Sequence, residues 1–155
     1  MRRPLVGVLV GGLIAGTLDI LYAFIALSRL GRTPTWVLHS VASGLLGQAA
    51  FEGGTATAML GFAAHLLIAI AAAGVFYLVS TRVAFLRERA ILSGMIFGVF
   101  VYLFMNFVVL KLSAFPFALH YPPQVLARGF ASHALLVGLP IALAVRYFST
   151  RREAN

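Results

Sequence analysis

The sequence has no cysteine. Disulfides, thiolate-ligated zinc, iron–sulfur clusters and thiol nucleophiles are therefore excluded. Acidic residues are almost as scarce, with 4 Asp and Glu against 12 Lys and Arg in 155 residues. An ordinary soluble domain is about a quarter charged, whereas this chain is 10% charged. So few charges cannot cover a soluble globule, which argues against a soluble enzyme, a nucleic-acid-binding domain and a disordered chain. No Walker A loop, nucleophile elbow, HExxH or dinucleotide fingerprint is present. Gly11–Gly16 (GGLIAG) fits only the glycine spacing of a phosphate loop and lacks its Lys-Ser/Thr. With so few carboxylates, acid–base hydrolysis has little material, and enzyme activity is not expected.

What is present is apolar: 61% of the residues are hydrophobic. Four runs, about 4–28, 55–80, 90–112 and 124–148, each supply the roughly 20 apolar residues that a membrane helix needs. The first is too long for a signal-peptide core and lacks a small-residue cleavage site, so it is expected to stay. The pattern predicts one membrane domain over 1–155, an all-α polytopic four-helix bundle. Between the first two runs, Thr33-Pro34 is a helix start, a threonine cap followed by proline in the first turn. Glu52-Gly53-Gly54 breaks the helix that begins there. A helix over about 34–51 would be only roughly 24 Å long. That predicts an extra short helix on the outer side, re-entrant or interfacial.

Charge sets the expected orientation. Arg2, Arg3, Arg82, Arg87, Arg89, Arg146, Arg151 and Arg152 fall on one side of four spans, and Arg29, Arg32, Lys111 and Arg128 on the other. The bias puts both termini in the cytoplasm. The excess positive charge then reads as a topology signal and a contact for anionic headgroups. The lipid bilayer is the expected partner, and nucleic acid is not.

Small residues recur at helical spacing: Gly7, Gly11 and Ala15; Gly12 and Gly16; Gly61, Ala69, Ala72 and Ala73; Gly94 and Gly98. In lipid, close backbone approach through such residues drives helix packing. Packing within the chain is the simpler expectation, and the same faces suit a homo-oligomer or a larger membrane complex.

Each long run carries a polar residue at bilayer depth: Asp19, His65, Asn106 and His133. Asp19 shares a helical face with Gly12, Ala15, Gly16 and Ala23, and His65 with Gly61 and Ala69. Asn106 continues the face of Gly94, Gly98 and Tyr102. Ionisable residues at this depth are costly and usually face the protein interior. A polar pocket of Asp19, His65, Asn106, His133 and Tyr102 is therefore expected. It would open outward beneath the short helix and the proline-rich stretch 111–123, with His39, Glu52, Lys111, His120 and Arg128 at its mouth. Each residue also has a plainer role. A histidine on a packed helix more often completes a hydrogen bond than binds a ligand. Asn106 bridging two helices would contribute roughly 0.6–2 kcal/mol. Asp19 is hardest to explain structurally unless His65 or His133 partners it. Pro140 removes a backbone hydrogen bond within the fourth run and is expected to kink it.

The strings GTLDILYAF, VLHSVASGLLGQAAFEGG, GFAAHLLIA, YLFMNFVVLKLSA and SHALLVGLPIALA together resemble a type of small, uncharacterised four-helix bacterial inner-membrane protein. The resemblance spans nearly the whole chain. It implies a bacterial inner-membrane, multi-pass location. It carries no activity, substrate or cofactor, so no functional residue transfers with it.

Three functions are compatible with these residues. The pocket suits translocation of protons, an ion or a small solute. His65 and His133, at similar depth on different helices, are candidate ligands for haem b or, with Asp19, for a divalent metal such as zinc or copper. The lack of catalytic motifs and the small-residue faces suit a non-catalytic accessory subunit of a membrane complex. Translocation makes the most use of the intramembrane ionisable residues.

Overall fold

The computed structural model describes residues 3–150, and all regular structure among them is helical. Arg2, Arg151 and Arg152, three members of the charge bias, lie outside the described residues. Four helices are long and apolar enough to cross a membrane, which supports a multi-pass membrane protein. They are α1 (Arg3–Ser28), α3 (Gly54–Arg82), α5 (Ala90–Leu112) and α6 (Pro123–Ser149). Two short helices complete the set: α2 (Pro34–Leu46) and α4 (Phe85–Glu88).

The start of α2 is dictated by its sequence. Thr33 Oγ1 accepts a hydrogen bond from the Trp36 N–H at 3.1 Å, and Pro34 occupies the first turn, where a missing N–H leaves no gap. At its other end Gly47, with φ +59°, passes the chain into a 3-10 turn, Gly47–Phe51. Only the first part of the expected 34–51 helix is therefore α-helical.

Glycine sets the packing order. Gly7 and Gly11 face Phe148, Ala144 and Ile141 of α6, while Gly12 and Gly16, one residue further round, face Ile70, Leu66 and Ala69 of α3. Helix α1 therefore lies between α3 and α6. A Cβ at Gly98 would collide with the His133 carbonyl, and one at Gly138 with the Gly94 carbonyl, so α5 and α6 meet backbone to backbone. On the far side of α3, Gly61 meets the Leu38 carbonyl of α2 in the same way. Gly7, Gly11, Gly12, Gly16, Gly61, Gly94 and Gly98 thus pack against neighbouring helices of the same chain.

Helices α3 and α5 differ from the other neighbours. They converge where Phe76 packs edge-on against Phe97, ring centroids 5.1 Å apart. Around that contact Val8, Ala73, Phe76, Ile141 and Val145 form a buried apolar core near the α4 end of the molecule. Towards the α2 end, α3 and α5 separate.

Large apolar side chains point away from this core. Leu67, Leu78, Ile91, Ile96 and Phe100 are all more than half exposed. That is the reverse of a soluble protein and suits helices whose solvent is lipid.

Two stretches of the long helices are π-helical, Met105–Val109 in α5 and His133–Gly138 in α6. In the second, the Leu139 N–H reaches the Ala134 carbonyl, five residues back. The wide turn ends just before Pro140, which has no N–H to give. The disturbance expected at Pro140 takes the form of this wide turn.

Candidate functional site

The separation of α3 from α5 leaves a cavity of about 570 Å³. Its floor is polar: Asp19 from α1, His65 from α3 and His133 from α6. Its walls are apolar, with Ala64, Ile68 and Ala72 on α3 and Val101, Met105 and Val109 on α5. Ser40, Val41, Gly44 and Leu45 of α2 cover the top together with Ser113 and Phe115.

The Asp19 carboxylate lies between the two imidazoles. Its Oδ2 is 3.9 Å from His65 Nε2 and its Oδ1 is 3.8 Å from His133 Nδ1. The three side chains are each between 15% and 19% exposed, so the cavity wets them only partly. His65 Nε2 is 2.9 Å from the Gly16 carbonyl. A carbonyl only accepts, so this nitrogen carries hydrogen and donates. Ser132 Oγ donates to the Gly129 carbonyl at 3.1 Å and lies 3.4 Å from His133 Nδ1. With the hydroxyl proton directed at Gly129, Nδ1 is the donor in that contact. The two nitrogens nearest Asp19 therefore carry hydrogen but direct it to Gly16 and Ser132, not to the carboxylate of Asp19. Among the described residues none donates a hydrogen bond to its carboxylate, since both histidine contacts exceed hydrogen-bond reach.

Three of the five residues expected in the pocket thus come together. Tyr102 is buried and stacks edge-on against His133 and Phe130, with centroids 5.0 and 5.4 Å away. It braces the His133 ring from the α5–α6 interface and does not line the cavity. Asn106 turns back on its own helix, donating from Nδ2 to the Tyr102 carbonyl at 2.8 Å. Its backbone carbonyl accepts from the Tyr121 hydroxyl at 2.9 Å. Asn106 therefore ties the wide turn of α5 to the loop before α6.

None of the five residues expected at the mouth lines the cavity. His39 is buried, its Nε2 2.8 Å from the Gly54 carbonyl and its ring edge-on to Phe51. Lys111 Nζ lies 5.5 Å from the centre of the Phe107 ring. Glu52, His120 and Arg128 are exposed. Covering this end instead is an aromatic group, Trp36, Phe51 and Phe117, with centroids 5.4 to 5.9 Å apart. The Arg32 guanidinium sits 4.4 Å over the Trp36 ring. The Ala114 N–H donates to the Gly44 carbonyl at 3.0 Å, which fastens the 113–122 loop to α2.

Sequence reading missed Ser132, Met105, Val109 and the roof residues Ser40, Ser113 and Phe115. Ser132 had a visible signal, since it directly precedes His133. The roof elements were expected, the short helix and the stretch 111–123, but not which of their side chains turn to the cavity.

The geometry also bears on His65 and His133 as metal or haem ligands. The carboxylate occupies the space between the rings where a haem iron would sit, and His65 Nε2 is already engaged by Gly16. Among the described residues no group of three or more His, Asp and Glu is arranged to hold a metal ion. No protein-family model, curated protein or solved structure matches this chain.

Proposed function

We propose that the chain is a bacterial inner-membrane protein that translocates protons, an ion or a small solute, with Asp19, His65 and His133 as the exchanging centre. One observation carries this reading: an acidic side chain flanked by two imidazoles forms the floor of a cavity between helices long and apolar enough to cross a membrane. Holding a carboxylate at that depth is costly unless it is used or paired. In this reading the four long helices form a bundle with both termini cytoplasmic. Helix α2 then caps the outer face as a re-entrant or interfacial element. The cavity lies beneath a roof of α2, Ser113 and Phe115, and the Phe76–Phe97 contact with its surrounding core closes the α4 end. In this reading a cavity covered at both ends is one state of an alternating-access cycle.

The test is flux into proteoliposomes under an imposed pH gradient. Wild-type protein collapses the gradient, alone or with a counter-solute, and Asp19→Asn falls to the level of empty liposomes. Equal flux from the two proteins across protons, alkali cations and small amines would end this reading.

A further inference from the structure

The cavity has a second property, its charge against its shape. Among the described residues Asp19 is the only acidic one lining it, and no Lys or Arg lines it. The carboxylate lacks a hydrogen-bond donor among the described residues, although one face of it meets the cavity. Apart from His65 and His133 at the floor and Ser40, Ser113 and Phe115 at the roof, the walls are mostly aliphatic, among them Leu67, Ile68, Ala72, Val101, Met105 and Val109. Leu67 and Ile68, which line the cavity, are 65% and 39% exposed. The cavity wall at α3 is thus continuous with the face that would meet lipid. A volume of about 570 Å³ falls in the range that holds drug-sized ligands.

We propose that the cavity binds a lipophilic ammonium ion, which reaches it sideways from the bilayer between α3 and α5. The N–H groups of the ammonium satisfy the Asp19 oxygens, and its apolar body lies along the aliphatic walls. A strongly hydrated metal cation lacks the apolar surface to match these walls, and an anion would meet the carboxylate. A lipid acyl chain matches the walls but leaves Asp19 unsatisfied. Binding itself does not depend on the translocation reading; the release of the ion on the other side does. The assignment deepens that reading by naming the solute class.

Three probes share one body and differ in charge: 4-phenylbutylamine, protonated at neutral pH, 4-phenylbutanol and 4-phenylbutyrate. Binding is measured by equilibrium dialysis against the full chain in lipid nanodiscs, with empty nanodiscs subtracted. The amine is expected to bind about tenfold or more tightly than the alcohol, the effect of one charge-assisted hydrogen bond in a low-dielectric site. The butyrate is expected to bind least. Asp19→Asn should bring the amine to the level of the alcohol, Asp19→Glu should keep the preference, and Ile68→Trp should weaken the amine and the alcohol together. Unchanged elution on size exclusion shows that each variant is folded. Equal binding of amine and alcohol to wild type, as an acyl-chain groove would give, overturns the proposal. An amine preference that survives Asp19→Asn also overturns it. The flux assay separates the two readings. Asp19-dependent proton flux without amine binding leaves translocation standing and removes the amine. Asp19-dependent amine binding without flux does the reverse.

Discussion

His65 donates its Nε2–H to the carbonyl of Gly16, three residues before Asp19 on the neighbouring helix. The bond fixes the ring orientation and sets α3 against α1 at the level of the carboxylate. His65→Ala removes it, and the expected loss is about 1 kcal/mol, that of one neutral intramolecular hydrogen bond. It is read as a lower thermal midpoint in detergent, with the exposed His120→Ala as a silent control. His65→Gln, which keeps a donor, should recover part of the loss. No change in His65→Ala would mean that the bond does not hold the helices.

Gly98 and Gly138 test the packing of α5 on α6. A Cβ at Gly138 would collide with the Gly94 carbonyl, and one at Gly98 with that of His133. Gly138→Val should therefore force the helices apart and cost about 1–3 kcal/mol, as overpacking does. Gly31→Ala is not a suitable control, because Gly31 has φ +73°. Gly74→Ala meets only Val8 at 4.0 Å and should be tolerated. Scanning fluorimetry of the two variants in one detergent decides it.

The roof depends on the first turn of α2. Thr33→Ala deletes the cap on the Trp36 N–H and should cost about 1 kcal/mol. The loss is local, so it should appear as faster amide exchange in residues 35–38 while the centre of α3 keeps its protection. Uniformly faster exchange would show that α2 is not a separate unit.

Tyr121 lies in the loop before α6, and burial raises its hydroxyl pKa above the ordinary value of 10.0. The neutral phenol donates to the Asn106 carbonyl. A raised folded-state pKa means that this stabilisation is complete below pH 10 and is lost as pH rises through the folded value. The thermal midpoint should therefore fall above pH 10, and Tyr121→Phe should flatten that part of the profile while lowering the plateau. An identical pH profile in the two proteins would rule out this role for Tyr121.

The positions of the helices were legible because composition alone marks runs that long, and Thr33-Pro34 marked the start of α2. Asp19 and His65 were legible because each shares a helical face with small residues that pack against other helices, and His133 because an ionisable residue at that depth usually faces the interior. Asn106 was not, although it continues the Gly94–Gly98–Tyr102 face. That face packs on α6, so the cavity is lined by the neighbouring ridge of Val101, Met105 and Val109, and the wide turn at Met105–Val109 rotates the rest of the helix. Helical periodicity says which residues share a face but not which neighbour the face meets. The mouth was misplaced for a related reason. Loop residues such as Glu52 and His120 carry no periodicity, and the Gly44–Ala114 bond that folds the 113–122 loop onto α2 joins distant, unremarkable backbone atoms.

The backbone contact of Gly61 with Leu38 limits how the molecule can deform. Helix α2 is keyed into α3, and His39 fastens it again at Gly54, while α5 is keyed as closely into α6 at Gly98 and Gly138. The close backbone contacts thus pair α2 with α3 and α5 with α6, and α1 packs against both α3 and α6. The hydrogen bond from Ala114 to Gly44 crosses from the end of α5 to α2, so any widening of the gap between α3 and α5 has to strain or break it.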